Sequence, residues 1–151
     1  MFSSAESSFM SLAMDQAKAA YQNNEVPVGA IIVKDNKVIG KGRNRVIENQ
    51  NVSSHAEIEA IIDASKKIKN YRLNKSTMYV TLEPCHMCLK AMIDARIDEV
   101  IFATTEPKTG SIISVDNFLD RIKFNHKVHF RHGLMKEKSE KLLKDFFKDR
   151  R

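Results

Sequence analysis

Cysteine is scarce in this chain, with only Cys85 and Cys88 in 151 residues. That excludes a small secreted fold stapled by several disulfides, which needs more cysteines set further apart. No run approaches the roughly 18 apolar residues of a membrane span. Residues 1–11 carry neither a basic start nor an apolar stretch of the kind an export signal needs. Three prolines and five glycines form no linker, and no internal repeat or low-complexity segment divides the chain. A single domain over residues 1–151 is the expectation, cytoplasmic and without a membrane partner. The hydrophobic fraction of 42% suffices for one sizeable core.

What is present is an uneven charge. The formal net charge is +6. Residues 123–151 hold ten Lys/Arg against four Asp/Glu, and the rest of the chain holds fifteen of each. A local cationic surplus suits a phosphate backbone, although a solvated amphipathic helix has the same composition.

Periodicity then sets the elements. Residues 7–21 place Phe9, Leu12, Ala13, Gln16, Ala17 and Ala20 at helical spacing, with serines available as caps. The β-branched run 28–33 turns at Lys34-Asp35-Asn36 and returns over 37–43, a hairpin. Ser54 is positioned to cap a helix over about 55–68, with Ile58, Ile61, Ile62 and Ala64 on or near its buried face. A strand over 77–82 leads to Pro84, which opens a helix lined by Met87, Ala91, Met92 and Ala95. Strands over 99–103 and 127–131 follow. Gly133 precedes a last helix over 136–148 with the stripe Leu142, Leu143, Phe146 and Phe147. Helices alternating with strands after a hairpin predict an α/β fold, a three-layer α/β/α sandwich over a mixed sheet.

Two segments carry chemistry: His55-Ala56-Glu57, and Pro84-Cys85-His86-Met87-Cys88. Each stands at a helix start, where free N–H groups and the positive dipole end favour a thiolate. C-x-x-C puts both sulfurs on one turn, and His55 supplies a nitrogen as third ligand. Three protein ligands leave a tetrahedral position for water, which is the catalytic pattern of zinc sites. Glu57, two residues past His55, reaches that water and is the candidate acid–base residue. Other readings remain for the separate pieces. C-x-x-C alone fits a thiol–disulfide oxidoreductase, or a structural zinc site with His86 as fourth ligand, and Glu57 alone fits a first-turn acid. None of these accounts for both segments together.

H-x-E followed by P-C-x-x-C is the signature of the zinc nucleobase deaminases. The chain resembles more specifically the bacterial tRNA adenosine deaminases, a branch of the zinc-dependent cytidine/deoxycytidylate deaminase superfamily. The similarity lies in Glu25-Val26-Pro27-Val28-Gly29-Ala30, Asn44-Arg45, His55-Ala56-Glu57-Ile58 and Thr81-Leu82-Glu83-Pro84-Cys85. It continues in Lys108-Thr109-Gly110 and in the closing residues Asp145 to Arg151. The resemblance implies a cytidine deaminase-like fold with a five-stranded sheet, and one Zn²⁺ per subunit on His55, Cys85 and Cys88. It implies Glu57 as proton shuttle, and Asn44, Val28, Ala56, Pro84 and Lys108 as substrate-binding residues. It further implies a homodimer acting on adenosine at the wobble position of a tRNA anticodon loop.

The chain departs from that pattern at Leu89-Lys90-Ala91, where the family has a Gly-Ala pair. It departs again at Ser111-Ile112-Ile113-Ser114, where small Ala and Gly residues are usual, and at Glu106, commonly Asp. The alternatives are a free-base or nucleoside deaminase for cytosine or guanine, and a zinc-stabilised RNA-binding module without catalysis.

Overall fold

A computed structural model describes residues 1–121 and 123–150. The elements run α1 (Ser4–Gln22), β1 (Gly29–Lys34), β2 (Lys37–Arg43), α2 (Ala56–Ile68), β3 (Thr77–Leu82), α3 (His86–Asp94), β4 (Glu99–Thr104), α4 (Phe118–Arg121), β5 (His129–His132) and α5 (Lys136–Asp149). The sheet has five strands in the order β2-β1-β3-β4-β5. β1 pairs antiparallel with β2 and β3, and β4 lies parallel to both β3 and β5. This is the expected mixed sheet.

Strand alternation sorts the core onto two faces. Ala30, Ile32, Met78, Val80, Val100 and Phe102 pack beneath α2 and α3. Ile31, Val33, Tyr79, Ile101 and Ala103 pack beneath α1, against Met10 and Ala13. α5 shares that second face, where Phe146 meets Tyr21 edge-on. The three-layer α/β/α arrangement follows.

Local chemistry explains where the elements depart from their sequence-based bounds. α1 begins at Ser4 because Ser3 and Glu6 form a reciprocal capping box, with Ser3 Oγ accepting from the Glu6 N–H and Glu6 Oε1 from the Ser3 N–H. Its buried side uses Met10 and Met14, while Leu12 faces solvent. The hairpin turn is the pair Asp35-Asn36, both at positive φ, as a two-residue type I′ turn requires. α3 buries Cys88, Leu89, Met92 and Ile93, and Met87 lies outside. In α5 only Phe146 of the expected stripe is buried, with Leu142 and Leu143 half-buried and Phe147 exposed. The short α4 has no periodic signal and was not expected.

α2 shows the largest departure. Its inward side is Ala56, Glu57, Ala60 and Ala64, and Ile62 points to solvent. The cause lies in β2: a Cβ on Gly40 would come within 2.6 Å of the Ala60 carbonyl, and one on Gly42 within 2.4 Å of the Ala56 carbonyl. Backbone against backbone, the helix sits so low on the sheet that only alanines fit between.

Candidate active site

His55 and Cys85 each occupy the N-cap position of a helix, His55 before α2 and Cys85 before α3. A cap side chain ordinarily accepts a hydrogen bond from its own helix. Neither does so here. Their extended backbones turn the side chains toward one another instead. Ser54, the expected cap, accepts from Asn49 Nδ2, and the free Ala56 N–H of α2 is taken by Asn44 Oδ1 at 2.8 Å. Pro84 lies one residue before the Cys85 cap rather than inside the helix, and its carbonyl accepts from the Ser111 N–H.

The donors converge. His55 Nδ1 stands 3.4 Å from Cys88 Sγ and 3.7 Å from Cys85 Sγ. All three ligand atoms lie within 4.8 Å of one another, so one metal ion can be held by them. Glu57 is buried in the first turn of α2, two residues past His55, and lines the same cleft as His55 and Cys85.

Proton affinities in the cluster follow from these contacts. The bond from Cys88 is the main influence that lowers the Cys85 thiol to about 4, with His55 adding to it against the cost of burial. Cys88, sharing that bond from the other side and buried beside Glu57, holds its proton well above the ordinary thiol range. His55 is raised by its bond to Cys85. Burial pushes the Glu57 carboxyl up to about 7.

A cleft of about 620 Å³ opens over His55, Glu57 and Cys85. It lies past the carboxyl ends of the parallel strands β3 and β4, where open α/β sheets place their ligands. Of the residues expected to meet substrate, Val28 and Asn44 line this cleft. Ala56 is fully buried under β2, and Pro84 is buried behind the wall. Lys108 stands outside, in an adjoining open groove of about 850 Å³ with Lys144, Lys148 and Arg150. Phe147 and Arg150 belong to both spaces and join them. Arg150 is fixed there by a bond to Asn24 and by stacking over the Phe146 ring at 3.8 Å. Arg151 lies outside the described residues.

Two acids of the site carried no role in the sequence reading, though both fall inside motifs quoted for the resemblance. Glu25 is buried and accepts from the Ile47 and Glu48 N–H groups, holding the loop that leads to His55. Glu83, in the cleft wall two residues before Cys85, accepts from four backbone amides. A sequence signal did exist: each acid borders an apolar strand and stands one or two residues before a proline.

The MafB19-like deaminase family matches residues 4–151. The tRNA-specific adenosine deaminase of Aquifex aeolicus is 43% identical over 140 residues, covering 93% of this chain and 92% of that one. A solved structure from studies of A-to-I editing by tRNA:A34 deaminases at the wobble position of transfer RNA has a TM-score of 0.87 at 37% identity. It covers 90% of this chain and 99% of its own. A Bacillus subtilis guanine deaminase is 35% identical with a TM-score of 0.62, covering 65% of this chain and 63% of its own. Matched over nearly its whole length at such identities, the chain belongs to the MafB19-like deaminase family.

Proposed function

We propose that the protein hydrolyses adenosine to inosine at the wobble position of a tRNA anticodon loop, with one zinc per subunit. The observation that carries this reading is the placement of buried Glu57 beside a His/Cys/Cys donor set, in a cleft continuous with a basic groove. Tetrahedral zinc with ordinary Zn–S and Zn–N bonds requires a sulfur–nitrogen separation of about 3.6 Å. The separations of 3.4 and 3.7 Å suit that ion. Zinc held there supplies Lewis-acid activation of water near neutral pH.

The chain's own residues do the rest. Glu57 takes a proton from water as its oxygen adds to the adenine C6 and delivers it to N1, then takes the proton of the new C6 hydroxyl and delivers it to the departing amine. Adenosine and water become inosine and ammonia. Burial raises the proton affinity of Glu57 above that of an ordinary carboxyl, which suits a group that must hold a proton between taking it and giving it up. Asn44 and Val28 orient the flipped base, with Ala56 and Pro84 supporting the pocket from behind and Lys108 meeting phosphate. The same reading includes a homodimer in the cytoplasm, with Ile62 and Met87 as exposed apolar surface for a second copy. Among the described residues no helix is long and apolar enough to cross a membrane.

Guanine deamination is the second reading, favoured by the likeness to the Bacillus subtilis enzyme. A free base carries no phosphate and leaves the groove of Lys108, Lys144 and Lys148 without a purpose. A competition decides between them: zinc-loaded protein receives an anticodon stem-loop with wobble adenosine together with free guanine and cytosine, and products are read by mass spectrometry. Inosine in the RNA with both bases untouched is expected. Turnover of guanine or cytosine with intact RNA would replace the proposal.

A further inference from the structure

The segment 106–116 is held from both sides of Cys85. On one side, Glu83 Oε1 accepts from the Glu106 N–H at 3.0 Å. Its Oε2 accepts from Ile112, Ile113 and Ser114 at 3.0, 2.7 and 3.0 Å, and the Ser114 hydroxyl also donates to the carboxylate. Next along the chain, the Pro84 carbonyl takes the Ser111 N–H at 2.9 Å. On the far side of Cys85, His86 Nε2 meets Asp116 Oδ2 at 2.5 Å, and Arg121 grips the same Asp116 with two bonds. All three neighbours 83, 84 and 86 thus bind one segment.

That segment is also a wall of the reaction space. Glu83, Glu106 and Thr109 line the cleft, and Lys108 faces the adjoining groove. The fit is close: a Cβ on Gly110 would lie 2.4 Å from the Glu83 carboxylate. Four amides converging on one buried carboxylate leave the segment few alternative paths, because any other leaves a buried acceptor or several donors unpaired. The same segment contains Glu106 and Ser111-Ile112-Ile113-Ser114.

We infer that Glu83 is a positioning residue that keys the 106–116 wall to the Cys85 turn, fixing the distance between substrate wall and reacting centre and so determining which substrate is accepted. Its test uses the adenosine-in-RNA reading above for the substrate. Three variants, Glu83→Gln, Ser114→Ala and Asp116→Ala, are compared with wild type for zinc content, amide hydrogen exchange over 106–116, and kcat and KM on an anticodon stem-loop.

Glu83→Gln presents an amide nitrogen where only acceptors fit. With zinc still at one per chain, its exchange over 106–116 should quicken and its KM rise about tenfold or more, kcat staying within about twofold. Ser114→Ala and Asp116→Ala, at the outer side of the segment, should move both readouts the same way by smaller factors. They carry the test if the glutamine variant does not fold. Unchanged exchange and KM would overturn the inference. So would loss of zinc with exchange quickened only in α3, since Glu83 would then serve the cysteine turn alone. Should wild type leave the RNA untouched, the functional reading falls, while exchange in these variants still decides the role of Glu83.

Discussion

Two residues that should cap helices face each other instead, and the site's chemistry begins there. His55 leaves the capping of α2 to Asn44, Cys85 makes no side-chain cap bond to α3, and a nitrogen and two sulfurs come together. Replacing Cys85 by Ser substitutes a hydroxyl, a poor zinc ligand, and should remove both metal and turnover; metal analysis of the purified variant checks this. Glu57→Gln keeps the shape but accepts no proton, so zinc should stay while deamination falls about 10²–10⁴-fold. Zinc binding should also depend on pH with a definite sign. The ion needs Cys88 as thiolate and His55 neutral, and both hold their protons to higher pH than usual, whereas Cys85 is ionised above about 4. Affinity therefore rises with pH through the neutral range, by about a decade per unit for each proton displaced. Competition with a chelator of known pH dependence measures it, and a flat profile would contradict these proton assignments. His55, Glu57, Cys85 and Cys88 were legible because ligand type and spacing are local facts. The positions of Glu25 and Glu83 were marked by a neighbouring proline, but their roles were not legible, since their partners are backbone amides 22–31 residues away.

At the level of elements, the seating of α2 on β2 sets the height of His55 and Glu57 above the sheet. Gly42→Ala drives a methyl into the Ala56 carbonyl, directly under the first turn of α2. The variant should lose about 1–3 kcal/mol of stability in denaturant titration. It should also retain zinc less firmly than an exposed control on the same helix such as Lys66→Ala. This contact explains why the apolar pattern misled at α2. Ile58, Ile61 and Ile62 look like a buried stripe, but where the helix presses on Gly40 and Gly42 only Ala56, Ala60 and Ala64 fit, so Ile61 packs at the margin of the core and Ile62 faces solvent. Where an element answered to its own residues, the sequence reading was close: β2 matched to the residue, and the Asp35-Asn36 turn declared itself. Helix starts were offset where a cap was supplied from afar, as Asn44 does for α2, or where a capping box lay just upstream, as at Ser3 and Glu6. The final helix was placed well at its start, but its sides depend on α1 and β4, which no local pattern reveals.

Over the whole molecule, the cationic surplus resolves into paired and unpaired groups. Lys136 and Lys141 are committed to Glu140 and Asp145 within α5. Among the described residues Lys108, Lys144 and Lys148 make no ion pair, and they share a groove that meets the cleft at Phe147 and Arg150. RNA affinity should therefore fall with salt, and Lys144→Ala and Lys148→Ala should each flatten the log–log slope by about 0.7–0.9 if that lysine meets a phosphate. Lys141→Ala should leave the slope nearly unchanged. Binding titrations at several salt concentrations separate these cases, and equal effects at all three positions would remove the groove from the account. The central claim is met most directly by product analysis on natural substrate: zinc-loaded protein is incubated with total tRNA, and inosine is located by mass spectrometry of nuclease fragments. The account predicts inosine at the first anticodon position, formed by wild type and nearly absent with zinc-loaded Glu57→Gln. Unmodified tRNA beside rapid turnover of a free base, or undiminished inosine from the glutamine variant, would contradict it.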